Sequence, residues 1–172
     1  MQQPDIRKAL PVHPSPAAEA VPRQVRVDGL VAHPLELSPA DLAALPQRAL
    51  TDDFTCVEGW VVPALGWQGV PLAAVLDLAQ AGPEAQWVQA SAGDFSVPLP
   101  LEDARRALLA LRLDGRDLPV EHGGPVRLVV PGRECFTSIK WLDHLELRLS
   151  PASNTGQAIA LGRLAARERP DR

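Results

Sequence analysis

The 172-residue sequence has no tyrosine, 3 phenylalanines, 1 methionine and 2 cysteines. Without tyrosine, no mechanism can use a side-chain phenol as acid, base or oxyanion donor. Two cysteines, Cys56 and Cys135, are too few for a disulfide framework. The histidines (His13, His33, His122 and His144) form no i,i+4 pair and no Cys-x-x-Cys accompanies them, so no zinc motif is present. No apolar run approaches the roughly 18 residues of a membrane helix, and no membrane span is expected. A net charge of −4 lacks the basic excess of a nucleic-acid binder, so no nucleic-acid partner is expected either. The amino terminus shows no charged segment followed by an apolar core; the expected location is cytoplasmic, or periplasmic if a leader was removed. Lysine is scarce as well. Of 17 basic residues only Lys8 and Lys140 are lysine, and Lys140 stands in the apolar run Ile139-Lys140-Trp141-Leu142.

What is present fits one globular domain: 46% hydrophobic and 22% charged residues. Residues 1–22 read as a Pro/Ala-rich arm, 23–150 as the domain, and 151–172 as its helical tail. Strands are predicted at 24–27, 35–37, 51–57, 86–90, 95–99, 109–113, 125–130 and 144–149. Helices are predicted at 39–45, opened by Ser38-Pro39, at 71–81, at 101–108 and from Asn154 to about Arg167. Short strands interrupted by short helices, without βαβ regularity, indicate an α+β fold.

Three segments carry the chemistry. Cys56 ends a predicted strand and is followed by Gly59 and Trp60; there a thiol faces a pocket as a soft metal ligand, or packs as a small buried hydrophobe. In Glu121-His122-Gly123-Gly124-Pro125-Val126-Arg127, His122 and Arg127 flank a glycine turn that could hold a phosphate. Arg127 enters a buried strand, so it needs an anion or an internal carboxylate partner. Gly132 to Ser138 is a loop, with Lys140 following as a point charge and Cys135 read as packing. The tryptophans are read as core fillers, and Glu102 and Asp103 as ordinary residues of a helix amino terminus.

In order along the chain, several strings resemble the molybdopterin-binding domain of the sulfite-oxidase family: Val27-Asp28-Gly29-Leu30-Val31, Cys56-Val57-Glu58-Gly59-Trp60, Trp67-Gln68-Gly69-Val70-Pro71-Leu72, Leu99-Pro100-Leu101-Glu102-Asp103, the His122-to-Arg127 stretch and Lys140-Trp141-Leu142. The resemblance covers about residues 24–150. It implies a mixed-sheet α+β molybdopterin-binding fold with peripheral helices, and a molybdenum–molybdopterin cofactor with Cys56 as the protein's metal ligand and His122, Arg127, Ser138 and Lys140 around the pterin and its phosphate. It also implies two-electron oxygen-atom transfer, either oxidising sulfite-like oxyanions or reducing sulfoxides or N-oxides. With no Cys-x-x-Cys-His for haem, electrons would pass through a separate partner. By position Phe95 replaces the active-site tyrosine of sulfite-oxidising members, and Arg7 is the counterpart of their substrate arginine, with Ala9 in place of the nearby histidine. Two other readings compete with this one: a non-catalytic molybdopterin-binding module or scaffold, and a metal-free cysteine nucleophile at Cys56.

Overall fold

The structure is a computed structural model that describes residues 10, 12, 14–56 and 59–167; Arg7 lies outside the described residues. Along the chain run β1 (Val25–Gly29), β2 (Leu35–Leu37), α1 (Pro39–Ala44), β3 (Arg48–Thr55), β4 (Val61–Pro71), α2 (Leu72–Leu78), β5 (Trp87–Ala92), β6 (Phe95–Pro100), α3 (Leu101–Arg106), β7 (Leu108–Leu113), β8 (Arg116–Asp117), β9 (Arg127–Val129), β10 (His144–Arg148) and α4 (Thr155–Arg167).

Local sequence explains most of these elements. Val25 and Val27 alternate inward along β1, the pattern of a strand with one buried face. Ser38 and Asp41 close a reciprocal capping box, and Pro39 occupies the first turn of α1. Asp114 and Gly115, both at positive φ, form the turn between β7 and β8.

The strands form two sheets. One has the order β2-β1-β10-β5-β6, mixed because β1 pairs parallel with β10. The other has the order β3-β4-β7-β8, with β9 also paired to β7. The expected α+β class holds, with the strands divided between these two sheets. The largest departure from expectation is β4, 11 residues long, where no strand is predicted. Gly69 is there for closeness, since a Cβ at that position would lie 1.9 Å from the Leu109 carbonyl oxygen, beside a bulge between Gln68 and Gly69. The second helix is also shorter than predicted. It stops at Leu78 with Gln80 at φ 53°, because Ala81 leaves the helix to bridge Val31.

The apolar side chains form two buried clusters. The larger one gathers Val27, Leu72, Leu76, Val88, Leu99, Leu128 and Leu145. The smaller one gathers Leu10, Leu65, Trp67, Leu113 and Val129. Leu10 shows what part of the proline-rich arm rests on: it is 3% exposed against this second core. Strand β9 bridges the two clusters, with Leu128 in the first and Val129 in the second.

Candidate active site

A cavity of about 390 Å³ opens where β3, β9, the 131–141 loop and α4 converge. Cys56, Arg127, Ser138, Lys140 and Phe95 all line it, and so do Trp60, Cys135, Phe136, Trp141, Ile159 and Arg163. The segments expected to carry the chemistry therefore reach one space, although they are far apart in sequence.

Cys56 is the first residue past β3. Its N–H donates to the Trp60 carbonyl at 3.0 Å, and its own carbonyl accepts from Gly59 N–H at 3.0 Å. Gly59 has φ 87°, a conformation that favours glycine and lets the chain turn into β4. The side chain is buried at the cavity wall. Its Sγ lies 3.2 Å from Sγ of Cys135, and both residues are thiols. Cys135 was expected to be packing; the structure brings it onto the cavity wall against Cys56. It sits in a 3₁₀ turn, Cys135–Thr137, that follows the Pro131-Gly132 bend.

Arg127 is buried at 3% exposure on β9, opposite Ala110 of β7. No carboxylate among the described residues holds it. One guanidinium nitrogen donates to the His122 carbonyl at 2.9 Å, and the guanidinium carbon lies 5.0 Å and 5.1 Å from the ring centres of Phe54 and Trp67. Its buried Nε has no hydrogen-bond partner among the described residues. Burial pushes the Arg127 pKa down to about 10, with the nearby Cys135 pulling upward. Among the described residues the alternative of an internal Arg–Asp pair is not formed; aromatic faces and a carbonyl surround the guanidinium instead.

Lys140 is held by the glycine turn. Its Nζ donates to the Glu121 carbonyl at 3.0 Å and lies 5.7 Å from the Trp141 ring centre. Gly123 has φ 104°, and a Cβ there would fall 2.8 Å from Cγ of Lys140, so the turn can seat the lysine stem only as glycine. The Trp141 indole N–H donates to the Val120 carbonyl at 2.8 Å, and the Gly124–Pro125 peptide is cis. Burial first, then the charges of Arg127 and Arg163, push the Lys140 pKa down to about 8, against a pull upward from Glu121. Ser138 Oγ accepts from Val130 N–H at 3.2 Å, which fixes the loop to the end of β9.

His122 is buried, but it is not among the cavity-lining residues; its carbonyl rather than its ring orients Arg127. Asp103 also differs from expectation. It is buried and takes hydrogen bonds from both Arg106 and Arg133, tying α3 to the 131–138 loop. Burial pushes its carboxyl upward, while the hydrogen bonds and charges of Arg133 and Arg106 outweigh that and hold it below the usual carboxylate range.

The far wall comes from α4, which is docked by its first turn. Thr155 Oγ1 accepts from Ser96 N–H at 2.8 Å and donates to the Asp94 carbonyl at 2.6 Å, while Asn154 Oδ1 accepts from Gln157 N–H at 2.8 Å. Gly156 lies flat on Phe95 and Val97; a Cβ there would sit 2.6 Å from the nearest Val97 methyl. Ile159 and Arg163, one turn apart, then face the cavity. Sequence reasoning passed over Arg163, although its i,i+4 spacing from Ile159 was readable. Among the described residues no group of three His, Cys, Asp or Glu could hold a metal, so the wall offers a soft sulfur and cations rather than a full ligand set. Nor is any helix among them long and apolar enough to cross a membrane.

Residues 13–155 match the family described as "Oxidoreductase molybdopterin binding domain". The chain is 38% identical over 125 residues to the uncharacterized oxidoreductase YuiH of Bacillus subtilis, covering 71% of this chain and 63% of that protein. It is 32% identical over 165 residues to the protein-methionine-sulfoxide reductase catalytic subunit MsrP of Gluconobacter oxydans, covering 81% of this chain and 51% of that one. The chain thus spans less than two thirds of the length of either relative. In three dimensions it superposes on the sulfane dehydrogenase SoxCD of Paracoccus pantotrophus with a TM-score of 0.72 at 26% identity, covering 79% of this chain and 40% of that chain.

Proposed function

The chain belongs to the oxidoreductase molybdopterin-binding domain family, and from that premise we propose that it catalyses two-electron oxygen-atom transfer on a small sulfur or nitrogen centre. The observation that carries this reading is the meeting of one thiol, Cys56, with Arg127 and Lys140 on the wall of a single cavity.

The residues present fit the family's cofactor. Arg127 offers a buried Nε with no partner among the described residues, a donor suited to an anionic or carbonyl-bearing ligand. The glycine turn packs Lys140 so that its ammonium stands at the cavity wall. A single thiolate is what a metal already held by the pterin's own sulfurs would still need. In this reading Cys56 binds the metal, and Arg127, Ser138 and Lys140 hold the pterin and its phosphate. His122 supports them through Arg127. When bound, the molybdenum–molybdopterin group supplies the oxygen-atom exchange and the two-electron redox change.

The chain's own residues position and exclude. Trp60, Phe95, Phe136 and Trp141 give the cavity an aromatic wall, which displaces water from a bound substrate. Phe95 supplies a ring without a hydroxyl, so no phenolic hydrogen bond orients a substrate oxygen from that side. These walls favour a sulfoxide or N-oxide with an apolar substituent over a bare oxyanion such as sulfite. Arg7 is the candidate cation for an oxyanion substrate. Electrons come from a separate partner protein. The proposed compartment is the cytoplasm, where thiols as close as Cys56 and Cys135 stay reduced.

The test is metal content followed by turnover. Protein purified from a molybdopterin-producing host is expected to carry close to one molybdenum per chain, with Cys56→Ala losing most of it. The loaded enzyme is expected to reduce an aryl methyl sulfoxide faster than it oxidises sulfite, with a viologen or ferricyanide as the respective redox dye. Full metal content in Cys56→Ala would overturn the ligand assignment. Stoichiometric metal with no turnover of sulfite, sulfoxides or N-oxides would favour the non-catalytic binding module.

A further inference from the structure

We infer that Cys135 is a positioning residue for the metal-binding sulfur: its S–H donates a hydrogen bond to the Cys56 thiolate across the 3.2 Å gap and sets the reduction potential of the metal held there. The inference rests on the reading of Cys56 as the metal ligand.

The argument begins with donor and acceptor capacity. Two thiols in contact can share a hydrogen bond in either direction. A cysteine that ligates a metal is a thiolate with no proton to give, so it can only accept. The direction is then fixed, with Cys135 as donor and Cys56 as acceptor. A hydrogen bond to a ligating sulfur draws electron density away from the metal, which favours the reduced state and raises the potential.

Both sulfurs are held in place. The Cys56 backbone is pinned by Trp60 and Gly59. The Cys135 turn is pinned on both sides: Arg133 is bound to the buried Asp103, Thr137 Oγ1 donates to the Glu134 carbonyl at 2.7 Å, and Ser138 is tied to Val130. Chance packing of a mobile loop would not need three such ties around one thiol. Arg127, on the same wall, adds positive charge near the pair.

The experiment uses the loaded full-length chain and its Cys135→Ala and Cys135→Ser variants. Molybdenum per chain, the unfolding midpoint, the metal's midpoint potential in a titration followed by electron paramagnetic resonance, and the sulfur-to-metal charge-transfer band are measured. Cys135→Ala is expected to keep its metal, with a lower midpoint potential and a band moved to lower energy. Cys135→Ser keeps a donor and is expected to recover part of both shifts. An unchanged potential and band in Cys135→Ala would overturn the inference. So would loss of metal as severe as in Cys56→Ala, because Cys135 would then be a ligand. If Cys135→Ala does not fold, Cys135→Ser carries the test, and a potential and band equal to those of the unsubstituted chain uphold a shared donor role only if Cys135→Val, which fills the space without a donor, shows the shift. Full metal in Cys56→Ala sinks the underlying reading instead, whatever Cys135 does.

Discussion

Arg127 and Lys140 give the cavity two cations of different character. Arg127, at about 10, stays charged across the physiological range, whereas Lys140, at about 8, does not. A bound anion favours the protonated lysine, so binding takes up a proton once the empty site has begun to lose it. Anion affinity is therefore expected to hold below pH 8 and to fall above it, by up to about tenfold per pH unit. Calorimetry with sulfate on the protein at pH 7, 8 and 9 checks this, and Lys140→Met should flatten the profile. Much of this residue-scale picture was legible in the sequence. Cys56 follows a strand and precedes a glycine, Lys140 interrupts an apolar run, and both signals are local. The contact between Cys135 and Cys56 was not legible, because 79 residues separate them and no local pattern encodes the meeting. Asp103 was misread for a related reason. A carboxylate in a first helical turn looks complete by itself, and its partner Arg133 arrives from 30 residues away.

Among the elements, α4 has the least sequence behind its placement and a large share in the site. Its amphipathic pattern predicts a helix, yet nothing in that pattern names the surface it covers. The contact at Gly156 does. Gly156→Val would drive its side chain into Val97 and Phe95, an overpacking that costs about 1–3 kcal/mol. The expected result is a Tm lowered by about 2–4 °C for each kcal/mol lost, together with faster proteolysis within residues 155–167. Calorimetry and timed digestion measure the two effects, and an unchanged digestion pattern would mean that α4 does not depend on this contact. β4 shows the opposite limit. Its glycines and proline resemble loop punctuation, and only the close approach of β7 explains why glycine is needed inside a strand.

For the whole molecule, the α+β class could be read from the alternation of short strands and helices, but the division into two sheets could not. That division depends on the parallel pairing of β1 with β10, which joins Val27 to Leu145. It also depends on β9 closing against β7 between the two cores. The family match ends at residue 155, short of Ile159 and Arg163. A chain shortened to residue 155 is expected to keep both sheets, with a circular dichroism spectrum changed only by the loss of one helix. It should release molybdenum on gel filtration several times faster than the full chain. Equal retention would show that α4 only covers the cavity and does not hold what lies in it. The cavity wall runs from Leu10 to Arg163, so early and late segments of the chain meet at the same space. During synthesis that space has no far side until α4 has emerged and docked. A ligand arriving earlier meets an open cleft, which places enclosure of whatever fills the site after α4 has docked.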